Sequence, residues 1–151
     1  MPSVAMAQDT GEVTNLPIPR FVSLRGDTVY ARTGPGTRYP VKWVYKRKNL
    51  PIEITREFDT WRKIRDVNGE EGWVHQSLLS GNRFVIIASE TPIPLYREDQ
   101  DDSRVVALVE SQAQMAIKSC DNAWCQVSKD GYRGWIAKNM LWGIYEGEQI
   151  Q

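Results

Sequence analysis

Cys120 and Cys125 are the only cysteines in this 151-residue sequence and His75 is its only histidine, so nucleophilic and soft-metal chemistry have few possible carriers. A catalytic thiol needs a histidine base within reach, and His75 lies in the other half of the chain. A zinc site needs about four ligands at metal spacing, which these three side chains do not supply. The acidic run Glu98-Asp99-Gln100-Asp101-Asp102 lacks the glycine and terminal glutamate of a calcium loop. No catalytic residue, metal site or cofactor is expected. What the cysteines can do is pair with each other. They flank Asp121-Asn122-Ala123-Trp124 at a turn between two strand-like segments, and a disulfide closing so small a loop contributes roughly 2 kcal/mol. His75, just after Trp73-Val74, reads as a hydrogen-bonding residue at the start of a short 3₁₀ turn.

The elements that would hold these residues repeat. One block runs Leu50-Pro51-Ile52-Glu53-Ile54, Trp61-Arg62-Lys63-Ile64, Gly69, Gly72-Trp73-Val74 and Leu78-Leu79. A second runs Ala113-Gln114-Met115-Ala116-Ile117, Trp124-Cys125-Gln126-Val127, Gly131, Gly134-Trp135-Ile136 and Met140-Leu141. From Ile54 to Trp61 and from Ile117 to Trp124 the spacing is seven, and the paired tryptophans lie 12 and 11 apart. Upstream, Val29 to Arg32 corresponds to Ile93 to Tyr96, and Val41 to Val44 corresponds to Val105 to Leu108. The cysteines align with Glu57 and Arg62, which predicts a solvent-exposed ion pair across the first turn where the second has its disulfide.

Ile52/Ile54 and Met115/Ile117 alternate at the period of a half-buried strand. Asn68-Gly69 and Asp130-Gly131 are hairpin-turn signals. No sustained helical stripe is present; His75 to Leu79 and Ala137 to Leu141 read as single 3₁₀ turns. The expectation is an all-β chain of two small barrels with about five strands each, wrapped around Trp61 and Trp73 in one and Trp124 and Trp135 in the other. Its parts are an N-terminal tail (1–18), a first module (19–82) and a second (83–151), in contact across the short Ser80-Gly81-Asn82 connection.

The stretch from Val29 to Val41, with Arg32-Thr33-Gly34-Pro35-Gly36 at its centre, resembles the opening of bacterial SH3-like domains, and Gly72-Trp73-Val74 resembles their closing strand. The resemblance extends over Phe21 to Trp142; in the second module it rests on Trp124 and Gly134-Trp135, because Glu98-Asp99-Gln100 stands where the first has Gly-Pro-Gly. It implies two tandem SH3-like β-barrels and a role in the cell envelope. Gly34, Pro35 and Gly36 make a sharp unobstructed loop, and Arg32 can reach back to its carbonyls. That loop is either architectural or ligand-contacting. Gly72 and Gly134 could let the rings of Trp61 and Trp124 lie against the backbone. Tyr30, Tyr39 and Trp43 border the loop and could line a shallow groove for an extended or proline-rich peptide, with Arg32 and Tyr96 as further contacts; simple packing is the other reading of these aromatics.

Charge narrows the partners. Nineteen Lys/Arg balance nineteen Asp/Glu, which argues against a dedicated nucleic-acid binder. The distribution is uneven: Arg20 to Arg83 holds 13 Lys/Arg against 7 Asp/Glu, and Phe84 onward holds 6 against 10. This is either two solvated surfaces or a dipole that orients modules or steers a partner. Lys46-Arg47-Lys48 is a charged turn or a polyanion contact. No apolar run approaches the roughly 20 residues of a transmembrane helix. Ala5-Met6-Ala7 has the small-x-small form of an export cleavage site, which would place the mature start at Gln8. Together with the paired cysteines this suggests a periplasmic or secreted protein. The resulting expectation is a non-catalytic binding or scaffolding protein recognising a peptide, either a protein segment or a peptidoglycan stem peptide. An accessory or targeting subunit of a cell-wall hydrolase and a purely structural scaffold are the alternatives.

Overall fold

In the computed structural model, which describes residues 9–151, the sequence repeat becomes two copies of one sheet. The first half forms β1 (Arg20–Leu24), β2 (Val29–Arg32), β3 (Val41–Tyr45), β4 (Pro51–Phe58), β5 (Trp61–Arg65), β6 (Glu71–His75), a 3₁₀ turn at Gln76–Leu78 and β7 (Leu79–Ser80). The second forms β8 (Phe84–Ile87), β9 (Ile93–Tyr96), β10 (Val105–Val109), β11 (Gln114–Cys120), β12 (Trp124–Lys129), β13 (Tyr132–Ala137), a 3₁₀ turn at Lys138–Met140 and β14 (Leu141–Trp142). The spatial order β3-β2-β6-β5-β4-β1-β7 reappears as β10-β9-β13-β12-β11-β8-β14. Even the irregularities recur. A β-bulge at Thr55 in β4 matches one at Lys118 in β11, and a bulge at Lys42 in β3 matches one at Val106 in β10.

Each sheet has seven strands where the sequence suggested about five. The additional strands are β1 and β8, together with the two-residue β7 and β14 that pair with them. A two-residue strand is too short to show alternation. β8 hides it differently: its run Phe84-Val85-Ile86-Ile87 is continuously apolar because both faces are buried. Val85 and Ile87 point into the second module's core, while Ile86 belongs to the core of the first.

Those cores are built from aliphatic side chains, with Ile52, Ile54, Ile64 and Val74 central to one and Leu95, Met115, Val127 and Ile136 to the other. The four matched tryptophans lie outside both clusters, contrary to the expectation that the barrels wrap around them, although Trp73 is buried and Trp61, Trp124 and Trp135 are half-buried where they stand. Strand parity is the reason. Trp61 stands three residues before Ile64 and Trp73 one before Val74, odd offsets that send indole and aliphatic to opposite faces; the same holds for Trp124 with Val127 and Trp135 with Ile136. The interior of so small a barrel is filled by aliphatics and leaves the indoles to the outer face.

At the tip of the β4–β5 hairpin Glu57 faces Arg62, as Cys120 faces Cys125 at the tip of β11–β12. The cysteines form the expected disulfide. The ion pair differs from expectation, because both partners are buried rather than exposed, with Arg62 Nε 3.7 Å from Glu57 Oε2. What covers it is the segment read from sequence as a tail. Residues 9–18 fold back on themselves through the Thr10–Pro17 bridge and dock on Glu57, whose Oε1 accepts the Val13 and Thr14 amides and whose Oε2 accepts the Thr14 hydroxyl at 2.6 Å. A Cβ on Gly11 would clash with that carboxylate and force it off the Val13 and Thr14 donors, so glycine lets the segment dock. The Ala5-Met6-Ala7 sequence lies outside the described residues.

The modules meet across a mixed junction. Trp142 packs on the first core and edge-on against Phe21, with ring centroids 4.9 Å apart. Tyr145 stacks obliquely on Phe21 and donates its hydroxyl to Glu53 Oε2 at 2.6 Å, and Glu53 also pairs with Arg65. Both aromatics are interface residues. Arg83, held within the second module by two hydrogen bonds of 2.7 and 3.0 Å to Glu148, places its guanidinium over the Phe21 ring of the first. Gln114 Nε2 donates to the Lys48 carbonyl, and Arg47 to that of Gln112.

Candidate functional site

Because the outer face of β4, β5 and β6 carries the residues excluded from the core, directly opposed side chains line up across it. Phe58 pairs with Trp61 and Trp61 with His75, giving an aromatic row over three strands. Phe58 is 59% exposed. Trp61 and His75 meet edge to face, with centroids 5.4 Å apart. Beside this row the β2–β3 loop arches over, and Pro35, Gly36, Thr37, Arg38, Thr60, Trp61 and His75 enclose an open groove of about 520 Å³.

The loop wall is rigid. Arg32 Nη1 donates to the carbonyls of Thr37 at 3.1 Å and Tyr39 at 2.9 Å, the back-reach its position in the sequence suggested. Tyr39 lies on Gly34, where a Cβ would come within 2.6 Å of the ring. Arg38 lies over the Tyr39 ring, 5.1 Å from its centroid, and donates to the Tyr39 hydroxyl. Arg32, Gly34 and Tyr39 therefore shape the groove from behind.

His75 is oriented by its own 3₁₀ turn. Its Nδ1 accepts the Ser77 amide at 3.2 Å and lies 2.8 Å from Ser77 Oγ, so the ring proton sits on Nε2. The structure thus brings together one serine–histidine contact that sequence reasoning had not identified. It is a local cap two residues long, with no carboxylate among the hydrogen-bond partners of the ring. Among the described residues, no three His, Cys, Asp or Glu side chains come together to hold a metal ion, and no helix is long and apolar enough to cross a membrane.

The other candidates are dispersed. Tyr30, 51% exposed, pairs with Val44, whereas Trp43, 44% exposed, pairs with Ala31. Adjacent pairs in a ribbon project to opposite faces, so Tyr30, Tyr39 and Trp43 do not line one groove. Trp43 instead lies 6.4 Å from Tyr45 on its own strand. Gly72 and Gly134 also serve differently from expectation: their missing side chains admit neighbouring strands, Ala31 in one module and Leu95 with the Tyr96 carbonyl in the other, rather than tryptophan rings. Phe58, Trp61 and His75 could have been grouped in the sequence by parity and hairpin register alone.

A family model described as the bacterial SH3 domain matches residues 25–81 and, a second time, residues 89–143. The chain belongs to the bacterial SH3 domain family. One SH3 match falls on each of the two equivalent sheets. Among solved structures the chain is similar to NlpC2 from Trichomonas vaginalis, at 15% identity and a TM-score of 0.37, covering 82% of this chain and 48% of that one. It is also similar to NlpC1 from the same organism, at 14% identity and a TM-score of 0.35, covering 87% and 48%. The chain spans about half the length of these two proteins. No curated protein matches it.

The second SH3 module offers a different surface at the equivalent place. Asp121, Trp124 and Ala137 replace the row of Phe58, Trp61 and His75. Asp121 Oδ1 accepts the Ala123 and Trp124 amides at 2.8 and 2.7 Å, which makes it a turn cap. Tyr96 meets Trp124 edge-on at 5.9 Å, and the adjoining pocket of about 590 Å³ is walled by Ile144 and Glu146 of the C-terminal segment.

Proposed function

We propose that this chain is a non-catalytic peptide-binding protein of the bacterial cell envelope, and that its binding surface is the Phe58–Trp61–His75 row beneath the Gly34-Pro35-Gly36 loop of the first SH3 module. The family is one of binding domains. The observation that carries the reading is the row itself: three ring side chains at cross-strand spacing, one of them largely exposed, beside a loop braced by Arg32. Trp61 offers an apolar edge, His75 a ring N–H, and Arg38 a cation at the rim. An extended peptide laid across the strands would place successive side chains on these groups. A protein segment and a cell-wall stem peptide both have this form. The Cys120–Cys125 disulfide supports an oxidising compartment, periplasmic or extracellular.

The test is co-sedimentation of the full chain with purified peptidoglycan sacculi and, in parallel, titration with a soluble stem peptide followed by tryptophan fluorescence. Trp61→Ala should reduce affinity by about tenfold or more, the loss typical of a central aromatic contact. Trp124→Ala should leave it nearly unchanged. Equal losses from the two substitutions, or none from either, would remove the groove from the account. Hydrolysis of the peptide by the isolated chain would overturn the non-catalytic reading.

A further inference from the structure

Among the described residues four strands end the two sheets, the two-residue β7 and β14 and the five-residue β3 and β10, and the two longer ones present the open edges of interest. β3 is bonded only to β2, and β10 only to β9. An open edge presents unpaired N–H and C=O groups, and natural proteins blunt such edges with lysine, proline or a bulge. Here the bulges sit early, at Lys42 and Val106, leaving Trp43–Tyr45 and Ala107–Val109 regularly paired on their inner sides. After its bulge β10 carries no charge at all, and Leu108 is 70% exposed. Val44 occupies the equivalent position in β3 and is also exposed, next to Trp43. Uncharged, apolar and open edges are surfaces that proteins normally keep covered.

The charges around the two edges are opposite. Lys46, Arg47 and Lys48 follow β3, whereas Glu98, Asp99, Asp101 and Asp102, flanked by Arg97 and Arg104, precede β10, and Glu110 follows it. Two β3 edges brought together would oppose lysines, and two β10 edges would oppose carboxylates; both arrangements are penalised. An antiparallel pairing of β3 with β10 sets the basic run after β3 against the acidic run before β10, and Glu110 near Lys42. A parallel pairing leaves the basic run facing Glu110 alone. Within one copy Arg47 already reaches Gln112, so Lys46 and Lys48 remain as the free cations of that run.

We propose that the chain self-associates head to tail, with β3 of one copy adding antiparallel to β10 of a second. The contact is heterologous: it closes into a two-fold pair if both edges engage at once and otherwise continues as a chain of copies. This proposal does not rest on the peptide groove, which uses the β2–β3 loop and the outer face of β4–β6 rather than the β3 edge, and it gives the charge asymmetry between the modules a use.

Sedimentation velocity on the full chain with its disulfide intact tests the proposal. The expected result is reversible association with a dissociation constant on the order of 10–100 µM at low salt, as for a small interface. Added salt should weaken it. Val44→Lys and Leu108→Lys should each weaken association by roughly tenfold or more. An equimolar mixture of the two variants should recover a dimer, since one retains an intact β10 and the other an intact β3. That recovery also shows both variants to be folded. A wild-type response from either variant alone means that like edges pair, and overturns the proposal. So does a chain that stays monomeric at every concentration, whatever other protein or peptide is then found on the edge.

Discussion

At the tip of the β4–β5 hairpin the first module encloses a charge pair, and at the tip of β11–β12 the second has a covalent bond; below the tips the two hairpins share one register and one bulge. The two solutions draw in different neighbours. A buried carboxylate needs several donors to offset its lost hydration, and Glu57 finds them in Arg20, Arg62, Thr14 and two amides of residues 9–18. The disulfide has no such need. The C-terminal segment that covers it is held beside the sulfurs rather than by them: Cys120 and Ile150 exchange N–H···O bonds of 2.7 and 3.0 Å, Gln149 Nε2 donates to Asn122 Oδ1, and Lys138 and Arg83 hold Glu148. A polar tip makes the N-terminal segment part of the fold, while an oxidised tip needs only a strand laid across it.

The largest effect should come from emptying the polar tip. Glu57→Ala leaves Arg62 buried beside Arg20 without their counter-charge and removes every acceptor that holds Val13 and Thr14. Breaking one side of such a buried pair costs about 3–5 kcal/mol. Urea unfolding should show that loss, and hydrogen exchange should show the Val13 and Thr14 amides deprotected while Ile150 stays protected. Acid should do the same more gently. Burial pushes the Glu57 carboxyl up, but the Thr14 hydroxyl, the Thr14 and Val13 amides and Arg20 outweigh it and hold the group down at about 2. A depressed folded value means that the stabilisation is complete above the unfolded value near 4.5 and is lost as pH falls toward 2. Glu57→Gln should flatten that dependence at residues 9–18.

Next in size is the covalent tip. Reducing Cys120–Cys125 should destabilise the second module by about 2 kcal/mol, measured as a fall in exchange protection at Val127 and Ile136. The informative quantity is what happens at Ile54 and Ile64 in the first module. If their protection falls equally, the two sheets unfold as one cooperative unit, and the comparison of two separate tips gives way to one of two ends of a single domain. The placement of Ile86 in the first core makes some transmission expected.

How far these features could be read in advance follows from their range along the chain. The tandem repeat, the all-β fold, the Asp130-Gly131 turn and the disulfide are local or periodic, and the spacing of tryptophans, glycines and cysteines displays them. The Arg32 reach into its loop is also local. The outward tryptophans were equally accessible, since the odd offset from Trp61 to Ile64 is in the sequence, but large apolar residues invite placement in the core and the parity was overridden. The docking of residues 9–18 was not accessible. It depends on Gly11 meeting Glu57 across 46 positions, and nothing in an isolated Gly11 distinguishes it from any other loop glycine. The proposed groove stands between these cases: its row follows from hairpin register, while its loop wall required the fold.

The smallest predicted effect concerns the seam where the two modules stop being separate. Tyr145 donates to Glu53, and its phenol is held above the ordinary value by burial first and by the Glu53 hydrogen bond second. Tyr145→Phe keeps the ring against Phe21 and removes only that hydroxyl, while Glu53 retains Arg65. The loss should be about 1.5 kcal/mol, as for a hydrogen bond to a charged group. Its consequence for the comparison is larger than its size, because it acts on the coupling and leaves both tips intact. Differential calorimetry should show a single transition in the parent chain broadening or splitting in the variant, with the disulfide-stapled module melting last. If the transition merely shifts without changing width, the apolar seam of Ile86, Trp142 and Phe21 alone binds the modules into one unit, and the polar link is an accessory to it.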